Sequence, residues 1–347
     1  MRFRTVKSKM FLCLLLAIMC SLPSFAADGE RDTSAYKQRL QKGKELVGKA
    51  TELMARRKSK LDTLYLQRPK YDWTLRLRYT IGAADVGIKT IVDDEVLRAD
   101  LTSHTTHSVG FGVNYKGIGL NFSINANMFQ KKKDENINLQ ISSYTNRYGF
   151  ELQYQSTNTF SGKSWDDWGE YKLDEGCMDK EMFLANAYYA FNYKKFSFPA
   201  AFTQSYIQRR SAGSFLIGVS AIIGNFHTNF PPDDDFFFHF KSTLGLYNAG
   251  VGYGYNFVIK KKFLLHLSLL PNLMLINTTR MNIDGQSRST MKSFPDFNII
   301  GRVAFVYNLD RYFVSLTTTN NYSYFDRSEY YYYYRKIFVR IAFGYRL

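Results

Sequence analysis

Stretches of about ten residues in which apolar and polar side chains alternate strictly recur along this chain. A period of two over that length marks a β-strand with one apolar and one polar face, long enough when tilted to cross a bilayer. From Trp73 to Ala83 one face reads Trp73, Leu75, Leu77, Tyr79 and Ile81 while the other reads Thr74, Arg76, Arg78 and Thr80. From Ile118 to Phe129 the apolar face is Ile118, Leu120, Phe122, Ile124, Ala126 and Met128, opposite Gly119, Asn121, Ser123, Asn125 and Asn127. Tyr148 to Gln155 sets Tyr148, Phe150, Leu152 and Tyr154 against Gly149, Glu151, Gln153 and Gln155. Ala249 to Ile259 places glycines and Asn256 opposite a row that includes Val251, Tyr253, Tyr255 and Phe257.

Further candidates are Ser108 to Lys116, Asn136 to Thr145, Met182 to Asn192, Phe196 to Gln208, Ser214 to Phe226, Phe263 to Asn277, Phe297 to Asn308 and Tyr312 to Tyr324, with a weak one at Glu95 to Ser103. Lys336 to Leu347 closes the series. There Ile337, Val339, Ile341, Phe343, Tyr345 and Leu347 face one way while Phe338, Arg340, Ala342, Gly344 and Arg346 face the other. A chain that ends on an apolar residue after alternating aromatics matches the terminal strand read by the outer-membrane assembly machinery, although many such proteins end in Phe rather than Leu.

A soluble sandwich also alternates, so composition and export decide between the two classes. The 26 Tyr and 29 Phe suit aromatic girdles at two membrane interfaces. No stretch after the N-terminus is apolar enough for a membrane-spanning helix. Met1 to Ala27 has the parts of a secretory signal: basic Arg2, Arg4, Lys7 and Lys9, an apolar run from Met10 to Leu22, and small residues before Ala27. Cleavage is expected after Ala26. The bulky Met19 before Cys20 argues against lipidation. Cys13 and Cys20 leave with the signal, so Cys177 remains alone and the monomer has no disulfide framework.

The fold read from the sequence is therefore all-β, a transmembrane antiparallel up-and-down β-barrel of 12 or 14 strands preceded by a short amphipathic helix. Residues 1–26 form the signal, 27–70 a periplasmic helical segment and linker, and 71–347 the barrel. Treating Lys116-Gly117, Asn146-Arg147, Tyr193 to Lys195, Lys260 to Lys262 and Leu309 to Arg311 all as short periplasmic turns breaks strand parity once, between Ser197 and Leu246. A missed or false strand must lie there. Ser34 to Lys60 carries Leu46, Ala50, Leu53 and Met54 on one helical face, and is a tether, a plug or a helix lying on the inner leaflet.

A family resemblance rests on Asn192-Tyr193-Lys194-Lys195-Phe196-Ser197-Phe198, Ala200-Ala201-Phe202 and Gln208 through Leu216. With Leu61 to Thr63, Trp73 to Tyr79, Gly250 to Phe257 and Phe343 to Arg346, these stretches resemble a Bacteroidetes family known as domain of unknown function 4421. The resemblance covers about Leu61 to Leu347 and implies an outer-membrane barrel. It brings no known activity and no functional residue.

Without the signal, 42 Lys and Arg face 30 Asp and Glu, a net charge of +12. On an exported chain this favours outer-membrane lipid and lipopolysaccharide over nucleic acid as the partner. In a closed barrel the first and last strands are neighbours, so inward Arg76 and Arg78 stand near Arg340 and Arg346, with Arg302 able to join them. Like charges in a confined lumen repel unless Glu151, another inward acid or a solute compensates them, so these five residues, the candidate binding cluster, belong either to a salt-bridged network filling the lumen or to an anion-conducting pore. His104 and His107, among several hydroxyls, lack the spacing of a metalloprotease helix, and Asp166-Asp167 and Asp233 to Asp235 lack that of a calcium loop. His239 and His266 stand alone in the sequence. The Tyr330 to Tyr334 run reads as part of the outer aromatic girdle. No cofactor, metal or catalytic residue is indicated. Three functions remain: a pore or carrier for small solutes, a filled structural or binding barrel acting through its loops, and a hydrolase of lipid or peptide. The signal reading predicts that N-terminal sequencing of the exported protein begins at Ala27; an intact Met1 would refute it.

Overall fold

The computed structural model describes residues 61–92, 95–115, 118–125, 137–229, 240–283, 286–289, 296–326 and 330–347. The chain divides into two units, Met1–Lys60 and Leu61–Leu347. The expected signal and basic helix lie outside the described residues. In chain order the strands are β1 (Leu66–Gln67), β2 (Trp73–Val92), β3 (Glu95–Ser103), β4 (Thr106–Tyr115), β5 (Ile118–Asn125), β6 (Ile137–Tyr144) and β7 (Tyr148–Thr157). There follow β8 (Phe160–Trp165), β9 (Glu170–Leu173), β10 (Met178–Ala190), helix α1 (Phe198–Phe202), β11 (Ile207–Gln208), β12 (Ala212–Thr228) and β13 (Phe240–Ile259). The series ends with β14 (Phe263–Asn277), β15 (Arg280–Ile283), β16 (Gln286–Ser289), β17 (Phe297–Asn308), β18 (Tyr312–Asp326) and β19 (Tyr330–Arg346).

The wall is a closed 12-stranded antiparallel barrel. Its strands are β2, the β3–β4 pair acting as one interrupted strand, β5, β6, β7, β10, β12, β13, β14, β17, β18 and β19. Both β3 and β4 pair with β2, at Asp85–Val92 and Trp73–Gly82 respectively. The seam runs from Arg346 opposite Thr74 to Tyr330 opposite Thr90. It is fastened at its end by Leu347 N–H donating to Trp73 O at 2.9 Å, and Trp73 N–H to Leu347 O at 3.1 Å. Closure satisfies every strand edge, which hydrocarbon cannot do.

Alternation sets which side chains meet lipid. Exposed Leu75, Leu77, Tyr79 and Ile81 on β2 continue around the wall as Ile217 and Val219 on β12, Leu267 and Leu269 on β14, and Ile341 and Phe343 on β19. The first outward polar residues above them are Asp85, Asn225 and Arg335. Five outward residues per strand give a band near the ~25 Å of a membrane barrel. Trp73 and Tyr115, at 4.5 Å between ring centroids, and Tyr312 with Tyr345, at 5.0 Å, belong to the girdle at the short-turn end. At the other end Tyr331 stacks on Tyr324 and Tyr333 on Tyr322, while Tyr332 and Tyr334 point inward and are buried. The tyrosine run therefore serves both girdle and interior.

The parity break has a physical cause. Phe196 to Gln208, expected as a strand, contains α1 and a turn instead. Pro199 has no N–H for a ladder and sits in the first turn of α1, where that donor is not needed. Ser197 caps the helix, its Oγ accepting from Ala200 N–H at 3.2 Å. Tyr193 to Lys195 is accordingly the start of a long connection between β10 and β12 rather than a tight turn. Asn146-Arg147, Lys260 to Lys262 and Leu309 to Arg311 do form short connections, whereas Lys116-Gly117 lies outside the described residues.

The band makes a depth-dependent prediction. Leu316→Arg, on the lipid face of β18, should cost about 2–4 kcal/mol in lipid-vesicle unfolding, whereas Asn225→Arg, above the band, should cost roughly 0–1 kcal/mol. Equal costs would place the band elsewhere.

Candidate functional site

The lumen contains three layers. At the short-turn end the β10–β12 connection folds inward as a plug, and its backbone is received by polar wall residues. Arg76 Nη1 donates to Phe202 O at 2.9 Å and to Gln204 Oε1 at 3.3 Å, and Asn114 Nδ2 donates to Thr203 O at 2.6 Å. Asn256 Nδ2 donates to Ser197 O at 3.0 Å and to Gln208 Oε1 at 3.1 Å. Gln204 is held at a φ of 48°, in the left-handed region, where the chain leaves α1. The two-residue strands β1 and β11 pair antiparallel, tying Leu66–Gln67 to the same plug.

His266 faces the plug and is fully buried. Its ring lies 5.9 Å from Phe196, 5.4 Å from Phe198 and 5.0 Å from Phe202. Its Nδ1 meets Asn256 Oδ1 at 2.7 Å and its Nε2 meets Ser268 Oγ at 2.9 Å. Hydroxyl, imidazole and amide in this order have the connectivity of a nucleophile, a base and an orienting group. His266 and Asn256 have no exposed surface and Ser268 is buried as well. The observed work of the chain is to join the wall to the plug through Asn256.

The middle layer is charged. Glu151 on β7 and Arg302 on β17 meet at 3.1 Å, with side chains 14 % and 2 % exposed. Glu151 also accepts hydrogen bonds from Tyr144, from Tyr188 at 2.9 Å and from Asn186 at 3.4 Å, while the guanidinium of Arg302 covers the Tyr188 ring at 4.3 Å. Arg340 donates to Thr80 Oγ1 at 3.2 Å and Gln140 Oε1 at 2.7 Å. Arg78 donates to Phe122 O at 3.1 Å, and Arg76 also reaches Asn121. Small partners leave room for the guanidiniums: Gly112 on β4 is opposite Arg76, where a Cβ would meet Arg76 Nη2 at 2.7 Å, and at the seam Ala342 is opposite Arg78 and Thr80 opposite Arg340.

The five arginines named from the sequence thus divide. Arg76, Arg78 and Arg340 share the seam. Arg302 pairs across the lumen with Glu151. Arg346 closes the β17–β18 turn, donating to Leu309 O at 2.9 Å, Asp310 O at 3.1 Å and Asn308 Oδ1 at 2.7 Å. Two further inward cations, Lys180 on β10 and Lys336 on β19, are buried above them. Period two would have marked Lys336, which shares the face of Phe338 and Arg340; Lys180 escaped because β10 begins earlier than its alternation suggested.

The third layer, at the long-loop end, is an apolar core that includes Val86, Phe160, Met178, Phe226, Phe325 and Tyr332. Beside it, burial pushes the Cys177 thiol up to about 11, and its Sγ donates to Phe160 O at 3.2 Å. His104 meets Glu175 at 3.1 Å and His107 meets the Tyr79 hydroxyl at 2.7 Å, so the two histidines engage separate partners. Asp166 Oδ1 accepts from Trp168 N–H and Gly169 N–H at 2.8 and 2.9 Å, which makes it a turn cap between β8 and β9. His239 and Asp233 to Asp235 lie outside the described residues. Among the described residues no three His, Cys, Asp or Glu gather as a metal site.

The model of the family described as Domain of unknown function (DUF4421) matches residues 60–347. The chain belongs to this family. Among solved structures, the DUF4421 barrel is similar to the transport unit of the autotransporter AIDA-I from Escherichia coli at 8% identity, with 80% of this chain and 91% of that one covered and a TM-score of 0.33. It is similar to the translocator domain of the autotransporter NalP from Neisseria meningitidis at 11% identity, covering 91% and 100% with a TM-score of 0.23. It is also similar to the P. putida toluene transporter TodX at 4% identity, covering 80% and 90% with a TM-score of 0.25. No curated protein matches its sequence.

In the DUF4421 barrel, Glu151→Gln should leave Arg302 buried without a charged partner and cost about 3–5 kcal/mol in denaturant unfolding. Combining it with Arg302→Met should cost less than the sum of the two single changes. Strict additivity would mean that the pair does not couple.

Proposed function

We propose that the chain is a bacterial outer-membrane barrel, exported through a signal cleaved after Ala26, that works with a filled lumen as a binding or structural barrel rather than as a standing pore. The observation that carries this reading is closure at both ends: the plug bonded to Arg76, Asn114 and Asn256 at one, and the apolar core at the other. The lipid-facing band and the paired closing strand support the membrane location, with Lys336 to Leu347 as the segment offered to the assembly machinery. Outward Lys89 and Arg335, beyond the band, suit the phosphates of lipopolysaccharide.

The basic middle layer favours a second reading, a carrier for small anions that opens only when the plug moves. Planar bilayers distinguish the two. The native protein should show no steady conductance, and a variant with Phe198–Gln204 replaced by a Gly/Ser linker should gain at most small, anion-selective currents, because the apolar layer remains. Large steady currents from the native protein would overturn the filled-lumen reading. The hydrolase reading rests on the Ser268–His266–Asn256 chain. Burial predicts that a fluorophosphonate probe leaves Ser268 unlabelled in the folded protein; labelling abolished by Ser268→Ala would establish the enzyme instead.

A further inference from the structure

We infer that a single small inorganic monoanion, of chloride size, is bound inside the lumen between Lys180 and Lys336. The two side chains come from opposite parts of the wall, β10 and β19, and line one cavity of about 20 Å³ with Ser103, Thr106, Asn138 and Gln155 among its other walls. Both residues are buried, at 3% and 5% exposure. Among the described residues no carboxylate lines the cavity. Among the described residues the charged groups acting on Lys336 are Lys180 and Arg340, both cations. Glu151, the carboxylate of the middle layer, is already engaged by Arg302. Two ammonium groups facing one cavity in the barrel interior repel, and an anion between them removes both that repulsion and the demand of their remaining N–H groups for acceptors.

The remaining groups around the cavity are arranged as donors. Lys180 Nζ donates to Gln155 Oε1 at 3.0 Å and to the Tyr334 hydroxyl at 3.2 Å, which leaves one of its three N–H bonds free. Gln155 is itself buried, and its Nε2 has no partner. Ser103 Oγ accepts from Ala84 N–H at 3.0 Å, so its own proton is free to turn toward the cavity. Lys336 Nζ has the Phe338 ring at 5.9 Å and no hydrogen-bond acceptor among the described residues. The third N–H of Lys180, the Lys336 ammonium, an amide N–H and a hydroxyl thus line one cavity without an acceptor among the described residues. The volume suits a small occupant: roughly 10–15 Å³ admits one water-sized species, which a halide matches. This site is independent of whether the barrel conducts.

The test uses the full mature chain refolded in detergent. Thermal unfolding is followed while sodium gluconate is replaced by sodium chloride at constant ionic strength. A bound halide should raise the midpoint saturably with chloride, as linkage requires, and bromide should substitute for it. Lys336→Met should abolish the dependence, while Lys89→Met, which removes an outward cation, should leave it intact. Crystals grown in bromide should show an anomalous peak between the two Nζ atoms. Superimposable chloride and gluconate curves would overturn the proposal, as would equal loss of the effect in Lys89→Met or a bromide-free cavity. If Lys336→Met fails to fold, the native curves and the bromide map decide alone.

Discussion

Twelve strands enclose a lumen wider than wall side chains alone can fill, since about eight strands already give an interior that they just occupy. That excess must be occupied by water, by more protein or by a ligand, and the choice governs everything else in this fold. Here protein takes most of it. The β10–β12 connection turns inward at one end, and strands extended beyond the membrane band bring an apolar core together at the other. Between them the polar faces dictated by alternation have no bulk solvent, so each long polar side chain must find its partner within the barrel.

The arginines show how this requirement is met without matching acids. Arg76 donates to the carbonyl of Phe202 and to side-chain amides while its Nε has no partner among the described residues, and Arg340 donates to Thr80 and Gln140. Among the described inward arginines only Arg302 takes a carboxylate, and Tyr144 and Tyr188 bond that carboxylate as well. Neutral acceptors answer the hydrogen-bonding demand of a guanidinium but not its charge. The middle layer therefore keeps a positive field, and the two lysines above it add to that field. A carboxylate for each cation would have produced a neutral, inert filling.

How much of this is legible in the sequence follows from the range of the interactions. Alternation along one strand is local, so the wall, its lipid face, its closing strand and the inward direction of Arg76, Arg78 and Arg340 can all be read directly. Pro199 also argued locally against a strand over Phe196 to Gln208, since it cannot donate to a ladder, but a proline alone does not decide the matter: Pro271 stands inside wall strand β14, opposite Ile299. The register between strands is not local. Within the β13–β14 hairpin the Lys260–Lys262 turn does pair Asn256 with His266, and Ser268 follows two residues later on the same face, yet neither segment shows that Phe196, Phe198 and Phe202 of the plug close over them. Glu151 and Arg302 are brought together only by the diameter of the barrel. The sequence likewise could not show that β3 and β4 share one place in the wall, and counting them apart is what left 14 strands as an option.

The stretch on which the family resemblance rests, Asn192 to Leu216, is largely the plug, so the motif marks the filling of the barrel more than its wall. This placement constrains any activity that needs an open lumen. Withdrawing the plug would strip Arg76 of Phe202 O, Asn114 of Thr203 O and Asn256 of Ser197 O, and would expose the phenylalanines that surround His266. A buried donor left without a partner costs about 1–3 kcal/mol, and more when it is charged. Water entering a vacated lumen could repay the hydrogen bonds but not the lost aromatic packing. A partner that draws the plug out must therefore offer an apolar surface to Phe198 and Phe202, and anything that replaces it from within the lumen must offer acceptors to Arg76, a demand best met by an anion.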